Sequence, residues 1–326
     1  MPADETVAEG RRCDLVLGGG GVKGLAHIGV LTALEEAGYD VVRVAGSSAG
    51  AVVGAMAVAG VPAAEVHERF QELDFTGFVL ADVVERFSNA RALGRLIARW
   101  SPDPTDPLAW IEGVLAEYGV KTFRDLAAAD PDPQDPPERR YRLVVRCLDV
   151  VQRRVVRLPW DYERYGLDPD EQSVAQAVRA SMSFPFVYDP VPIGERDGEP
   201  LGLLIDGGLT SGFPVGVLDR RDGGPARWPT FGIRLLPRPP GAGDLPADDL
   251  ELASMVILAL LDSSDLLEPL TACDERRTVR LDVSEVRPLD VDVSEERDLV
   301  DEGAEAMRRF LADWDEEAYR RECRST

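Results

Sequence analysis

Two short apolar runs, each ending in glycine and each followed by a helical pattern, constrain the fold more than any other feature. Residues 13–17 (CDLVL) run into four glycines, and 22–37 then carries Leu25, Ile28, Leu31 and Leu34 on one helical face. Gly38 stands where a helix-terminating glycine belongs. Residues 41–45 lead into GSSAG, and 49–59 is small and apolar on every side, as in a buried helix. This β-α-β-α order predicts a parallel sheet covered by helices.

Further strands are expected at 141–149 and 153–158, paired as a hairpin, and at 201–205, 230–236 and 278–283. Helices are expected near 171–181, 248–267 and 296–314, and a flexible loop over 238–249. Residues 61–138 carry amphipathic segments rich in Glu and Arg and close in ADPDPQDPPERR, an exposed loop. They read as a helical cap or insertion. The 326 residues suit one large α/β domain over 13–326, preceded by a short disordered arm over 1–12.

A net charge of −23 repels free nucleic acid. No apolar run reaches the ~18–20 residues of a membrane span, and the first residues lack the pattern of a secretory signal. Cys13, Cys147, Cys273 and Cys323 are scattered without a C-x-x-C pair, and only two histidines are present. Neither a metal site nor a disulfide framework is expected, and the pattern suits a reducing cytoplasm.

The loop GGGGVKG, residues 18–24, sits at a strand-to-helix junction where three chemistries occur. A P-loop requires Ser or Thr after its lysine, and Gly24 follows Lys23. Gly19, Gly21 and Gly24 meet the dinucleotide spacing, but the second strand ends Ala45-Gly46-Ser47, without the acid that holds a ribose. The third use is an oxyanion hole, in which consecutive glycines aim backbone N–H groups into one concavity. A tight turn alone needs fewer glycines than the four present.

Gly46-Ser47-Ser48-Ala49-Gly50 reads G-x-S-x-G between a strand and a small-residue helix, the setting of a nucleophile elbow. The helix N-terminus favours developing alkoxide on Ser48, while Ser47 is read as structural. A serine nucleophile needs a base. The only histidines, His27 and His67, come early, whereas elbow hydrolases place theirs late. Either the site is inert or a carboxylate is the base. Asp206 is the best candidate: it follows an apolar strand and precedes two glycines, at a strand end where open α/β sheets gather their sites. An ordinary Asp, with a pKa of ~3.9, is a poor base at neutrality; burial would raise it. Alone, D-G-G also reads as a β-turn; beside Ser48 and the glycine loop, the catalytic role is preferred.

Together these residues resemble the patatin-like phospholipase family. Its motif G-G-G-x-[KR]-G matches Gly19-Gly20-Gly21-Val22-Lys23-Gly24, G-x-S-x-G matches 46–50, and D-G-[GA] matches Asp206-Gly207-Gly208. Softer matches are Ala180-Ser181-Met182-Ser183-Phe184-Pro185, like A-S-x-[AS]-x-P, and DLVDEGAEAMRRFL, like the family's terminal helix. The resemblance implies a three-layer α/β/α fold with a mainly parallel central sheet. It also implies a Ser48–Asp206 dyad that cleaves lipid acyl esters through an acyl-enzyme. The N–H groups of Gly19, Gly20 and Gly21 would hold the oxyanion, with Gly24, Gly46, Gly50, Gly207 and Gly208 supporting the motifs. Lys23 falls at the family's basic position, as decoration of the helix N-terminus or as an anchor for a phosphate or the loop. One departure stands out: the family often has Asn-x-Pro after D-G-G, and here the chain reads Gly212-Phe213-Pro214. The partners implied are a lipid or other acyl ester and a transient membrane surface, with no cofactor. Two rival readings are a catalytically silent lipid-binding or regulatory protein and a nucleotide-dependent oxidoreductase.

Overall fold

The computed structural model describes residues 11–71, 107–131, 139–185, 188–209, 213–224, 226–236, 270–283 and 293–323, and positions 133, 136, 256 and 259. β1 (Arg11–Leu17) and β2 (Tyr39–Gly46) run parallel, with Val16 opposite Ala45 and Leu17 opposite Gly46. Arg11 and Arg12 thus belong to the sheet and not to the expected arm. The helical pattern after β1 divides in two. A 3-10 turn, Gly21–Leu25, comes first, because Gly21 takes a left-handed φ of 56°. α1 (Ala26–Glu36) follows, and then, after β2, α2 (Ala49–Ala59), with nearly every side chain buried.

The chain continues through α3 (Ala63–Gln71), α4 (Leu108–Glu117), β3 (Leu143–Asp149), β4 (Arg154–Leu158) and α5 (Val174–Ser181). β5 (Val191–Arg196), β6 (Glu199–Asp206), β7 (Thr230–Leu235), α6 (Ala272–Arg276), β8 (Thr278–Leu281), α7 (Val293–Asp313) and α8 (Glu316–Cys323) complete it. The sheet order is β5-β6-β3-β2-β1-β7-β8, with β4 also paired to β3. The half from β3 to β8 is parallel. Beyond β3, the pairings with β4 and β6, and of β6 with β5, are antiparallel. The sheet is therefore mixed, with its parallel part where the β-α-β order predicts it. β5 escapes the sequence pattern because Pro192 and Gly194 interrupt it, and an edge strand tolerates both.

One sheet face, with Leu15, Leu17, Val44, Leu143 and Val145, packs into the main core against the helices. The alternate residues Val16, Ala45 and Val144 meet Phe213 and the 3-10 turn Val215–Leu218 on the other face, giving the three layers expected. α1 and α7 cross with almost no side chain between them. A Cβ on Gly29 would fall on the Val300 carbonyl, and one on Gly303 on the Ala26 carbonyl.

In the described parts of 61–138, Val66, Phe70, Ile111, Leu115, Phe123 and Leu126 are buried in the main core. Two expectations are corrected. Cys273 and Cys323 form a disulfide with Cα atoms 5.5 Å apart, because α8 folds back onto α6. Only Cys13 and Cys147 are free thiols, both buried. The second correction concerns the direction of β6 and is taken up with the site. Residues 72–106, Gly212, the 238–249 loop and nearly all of the 248–267 helix lie outside the described residues.

Candidate active site

β2 ends at Gly46, and the chain turns sharply into α2 through Ser48, whose φ of 53° and ψ of −128° are unusual for a residue with a side chain. Such a conformation costs on the order of 1–3 kcal/mol and survives only where its surroundings impose it. Gly46 and Gly50 make the turn possible. A Cβ on Gly46 would fall on the Gly50 carbonyl, and one on Gly50 would lie 2.6 Å from the Leu17 oxygen and 2.7 Å from that of Gly18. Ser48 is half-buried and Ser47 buried. The N–H groups of Ala51 and Val52 go to the Ser48 carbonyl, so the positive end of α2 opens beside the Ser48 side chain.

The glycine loop lies against this elbow. A Cβ on Gly19 would sit 3.4 Å from the Ser48 Cβ and 3.6 Å from the Gly208 Cα, so Gly19 borders both the elbow and the D-G-G turn. The N–H groups of Gly19 and Gly20 meet no acceptor among the described residues. Gly20 turns its Cα toward Leu235, where a Cβ would come within 2.5 Å of Cδ1. A Cβ on Gly24 would fall on that of Ala49, so the loop docks directly on the first residue of α2. Lys23 is buried. His27 is buried too, and its Nε2 holds the Gly18 carbonyl at 2.8 Å. Burial pushes the imidazole down to about 4, against the pull of that bond, so the ring is neutral at ordinary pH.

Asp206 reaches the elbow by register rather than by strand direction. β6 runs antiparallel to β3, so its own direction is opposite to that of the parallel strands, and it is the register that brings Asp206 to their C-terminal edge. Asp206 pairs with Cys147 of β3, while Gly46 pairs with Val145. Two residues beyond Gly46, Ser48 is level with Cys147, and therefore with Asp206. The Ser48 side chain acts on the Asp206 carboxylate and favours its ionised form, and the Gly208 N–H donates to Oδ1 at 2.7 Å. Burial raises Asp206 to about 6, and these two interactions only partly offset it. Gly207 is required where a Cβ would fall on the Arg146 carbonyl.

The structure thus brings together Ser48, Asp206, Gly19 and Gly208. It leaves His67 on α3, next to Gln71 at 3.4 Å, and commits His27 Nε2 to Gly18. Reading the sequence missed the residue that holds the Ser48 amide: Ser181 Oγ accepts the Ser48 N–H at 2.9 Å. Its one signal was membership of the Ala180–Pro185 block. Among the described residues no cluster of His, Cys, Asp and Glu is arranged to hold a metal ion.

The sequence matches the model of the patatin-like phospholipase family over residues 15–219, a span that contains all of these groups. It is 29% identical over 312 residues to the uncharacterized protein YqhO of Bacillus subtilis, covering 92% of this chain and 98% of that one. It is also similar to lysophospholipase nte1 of Emericella nidulans, 57% identical over 211 residues; these cover 63% of this chain but only 11% of that much longer protein. Among solved structures, ExoU in complex with SpcU, from the type III secretion system of Pseudomonas aeruginosa, matches with a TM-score of 0.50 and 17% identity. That match covers 93% of this chain and 53% of the other, and it bears on the fold alone.

Proposed function

The chain belongs to the patatin-like phospholipase family, and from that premise we propose that it is a serine lipid acyl hydrolase working through Ser48 and Asp206. The observation that carries the proposal is the placing of the Ser48 side chain against a buried carboxylate, Asp206, whose pKa burial raises to about 6. A carboxylate with that pKa is ionised at neutral pH and basic enough to take a proton, which an ordinary Asp is not.

Ser48 Oγ attacks the ester carbonyl as its proton passes to Asp206. The tetrahedral oxyanion is held by the N–H groups of Gly19, Gly20 and Gly21, with the N-terminus of α2 adding positive potential. Collapse expels the alcohol, which takes the proton from Asp206 and leaves an acyl group on Ser48. Water, deprotonated by Asp206, then releases the fatty acid. The substrate is an acyl ester of a lipid, met at a membrane surface; no described helix is long and apolar enough to cross a membrane.

A fluorophosphonate probe and a panel of phospholipid, neutral-lipid and acyl-CoA substrates test this. Labelling and hydrolysis are expected in the parent chain and absent in Ser48→Ala. Asp206→Asn is expected to fold but to lose about 10³-fold or more in kcat, with normal turnover moving the base elsewhere. Lipid binding without labelling or hydrolysis would establish the catalytically silent alternative.

A further inference from the structure

β3 lies between β2 and β6, so no pairing within the sheet joins the elbow to Asp206. Two strand spacings separate them, roughly 9–10 Å of backbone. The end of α5 spans that gap. Ser181, wholly buried, accepts the Ser48 N–H at 2.9 Å and donates to the Arg146 carbonyl of β3 at 2.6 Å. Two residues on, the Ser183 carbonyl accepts the Asp206 N–H at 3.0 Å. Ser183 Oγ is itself braced by Nη1 of the buried Arg179 at 2.7 Å.

We propose that Ser181 is a positioning residue of the dyad, clamping the amide of the strained nucleophile so that its hydroxyl meets Asp206, with Ser183 tying the same segment to the acid. The inference rests on the reading of Ser48 and Asp206 as the reacting pair.

The physical case has two parts. The Ser48 amide precedes α2, and without Ser181 it would be a donor with no partner in a left-handed conformation that its own side chain disfavours. Ser181 has one hydroxyl proton to donate and lone pairs to accept with, and the geometry uses both kinds. The Arg146 carbonyl that takes the proton is also the one against which Gly207 is packed. A shift of that peptide therefore reaches the Asp206-Gly207 turn as well as the elbow. Ser181 thus holds the Ser48 amide directly and reaches the Asp206 turn through the Arg146 peptide, touching neither reacting atom.

The test uses the full chain with Ser181→Ala and Ser181→Cys, measuring kcat and KM on a soluble short-chain p-nitrophenyl ester and the rate of fluorophosphonate labelling. Ser181→Ala is expected to lower kcat and the labelling rate together by about 10²-fold, with KM within about twofold of the parent. Ser181→Cys keeps the volume but hydrogen-bonds weakly, and is expected to lose roughly tenfold. A folded Ala variant with kcat and labelling near those of the parent overturns the inference, as does a loss confined to KM. Should the Ala variant not fold, an undiminished Cys variant overturns it. A parent chain that neither labels nor hydrolyses removes the proposed function instead. Crystal structures of the parent and of a Ser181 variant then decide the positioning role: a Ser48 hydroxyl displaced from Asp206 in the variant supports it, and an unchanged Ser48–Asp206 separation overturns it.

Discussion

Burial of Asp206 acts in opposite directions on activity and stability. As the proposed base it must be ionised, so kcat/KM is expected to rise with pH through about 6, the value to which burial raises the carboxyl. For stability the sign reverses. The folded-state pKa lies above the unfolded value, so between the two the native state binds more protons and loses stability as pH rises. A shift of this size corresponds to roughly 3 kcal/mol, forfeited between about pH 4 and pH 6. Asp206→Asn is therefore expected to raise Tm at pH 8 even as it removes turnover, and the gain should vanish near pH 4. Thermal melts of the two proteins across that range check it; an equal difference at both pH values would contradict the burial account. At this scale the proposed pair was legible because Ser48 and Asp206 each sit in a short, glycine-marked turn. Ser181 was not, since its hydroxyl serves groups that only the fold brings near it.

Among the elements, the α1–α7 crossing is the point where the C-terminal part of the chain supports the glycine loop. α1 begins directly after that loop and carries His27, which holds Gly18. Its other face meets α7 backbone to backbone at Gly29 and Gly303. Gly303→Ala must push the two helices apart, and is expected to cost about 1–3 kcal/mol, read as a lower urea midpoint with an unchanged m-value. Activity should fall with it even though position 303 lies outside the site, and a variant as stable as the parent would mean that the helices separate freely. The order of β1, α1, β2 and α2 was legible because doubly buried strands and helices leave long apolar signatures. β5 was not, because Pro192 and Gly194 break its alternation. The direction of β6 was not either, because an apolar run does not record which way it is paired.

Across the whole molecule, the Cys273–Cys323 disulfide fastens α8 to α6 at the β8 edge of the sheet. It closes a loop with a sequence separation of 50 residues, and its removal is expected to cost about 2–4 kcal/mol. Cys323→Ser, or dithiothreitol on the parent, should lower Tm while leaving kcat near that of the parent, since neither cysteine belongs to the site. An unchanged Tm would mean that the bridge constrains nothing that unfolds. The amino-acid sequence by itself determined the turns that make the chemistry local: the glycine run at 18–21, the elbow at 46–50 and the Asp206-Gly207-Gly208 turn. Each depends on neighbours in the chain and on backbone conformations that glycine permits. The tertiary structure decided that Asp206 comes level with Ser48 across an intervening strand, that burial raises its pKa, and that Ser181 holds the Ser48 amide. These depend on register between strands far apart in sequence and on exclusion of water, which no contiguous stretch of residues specifies.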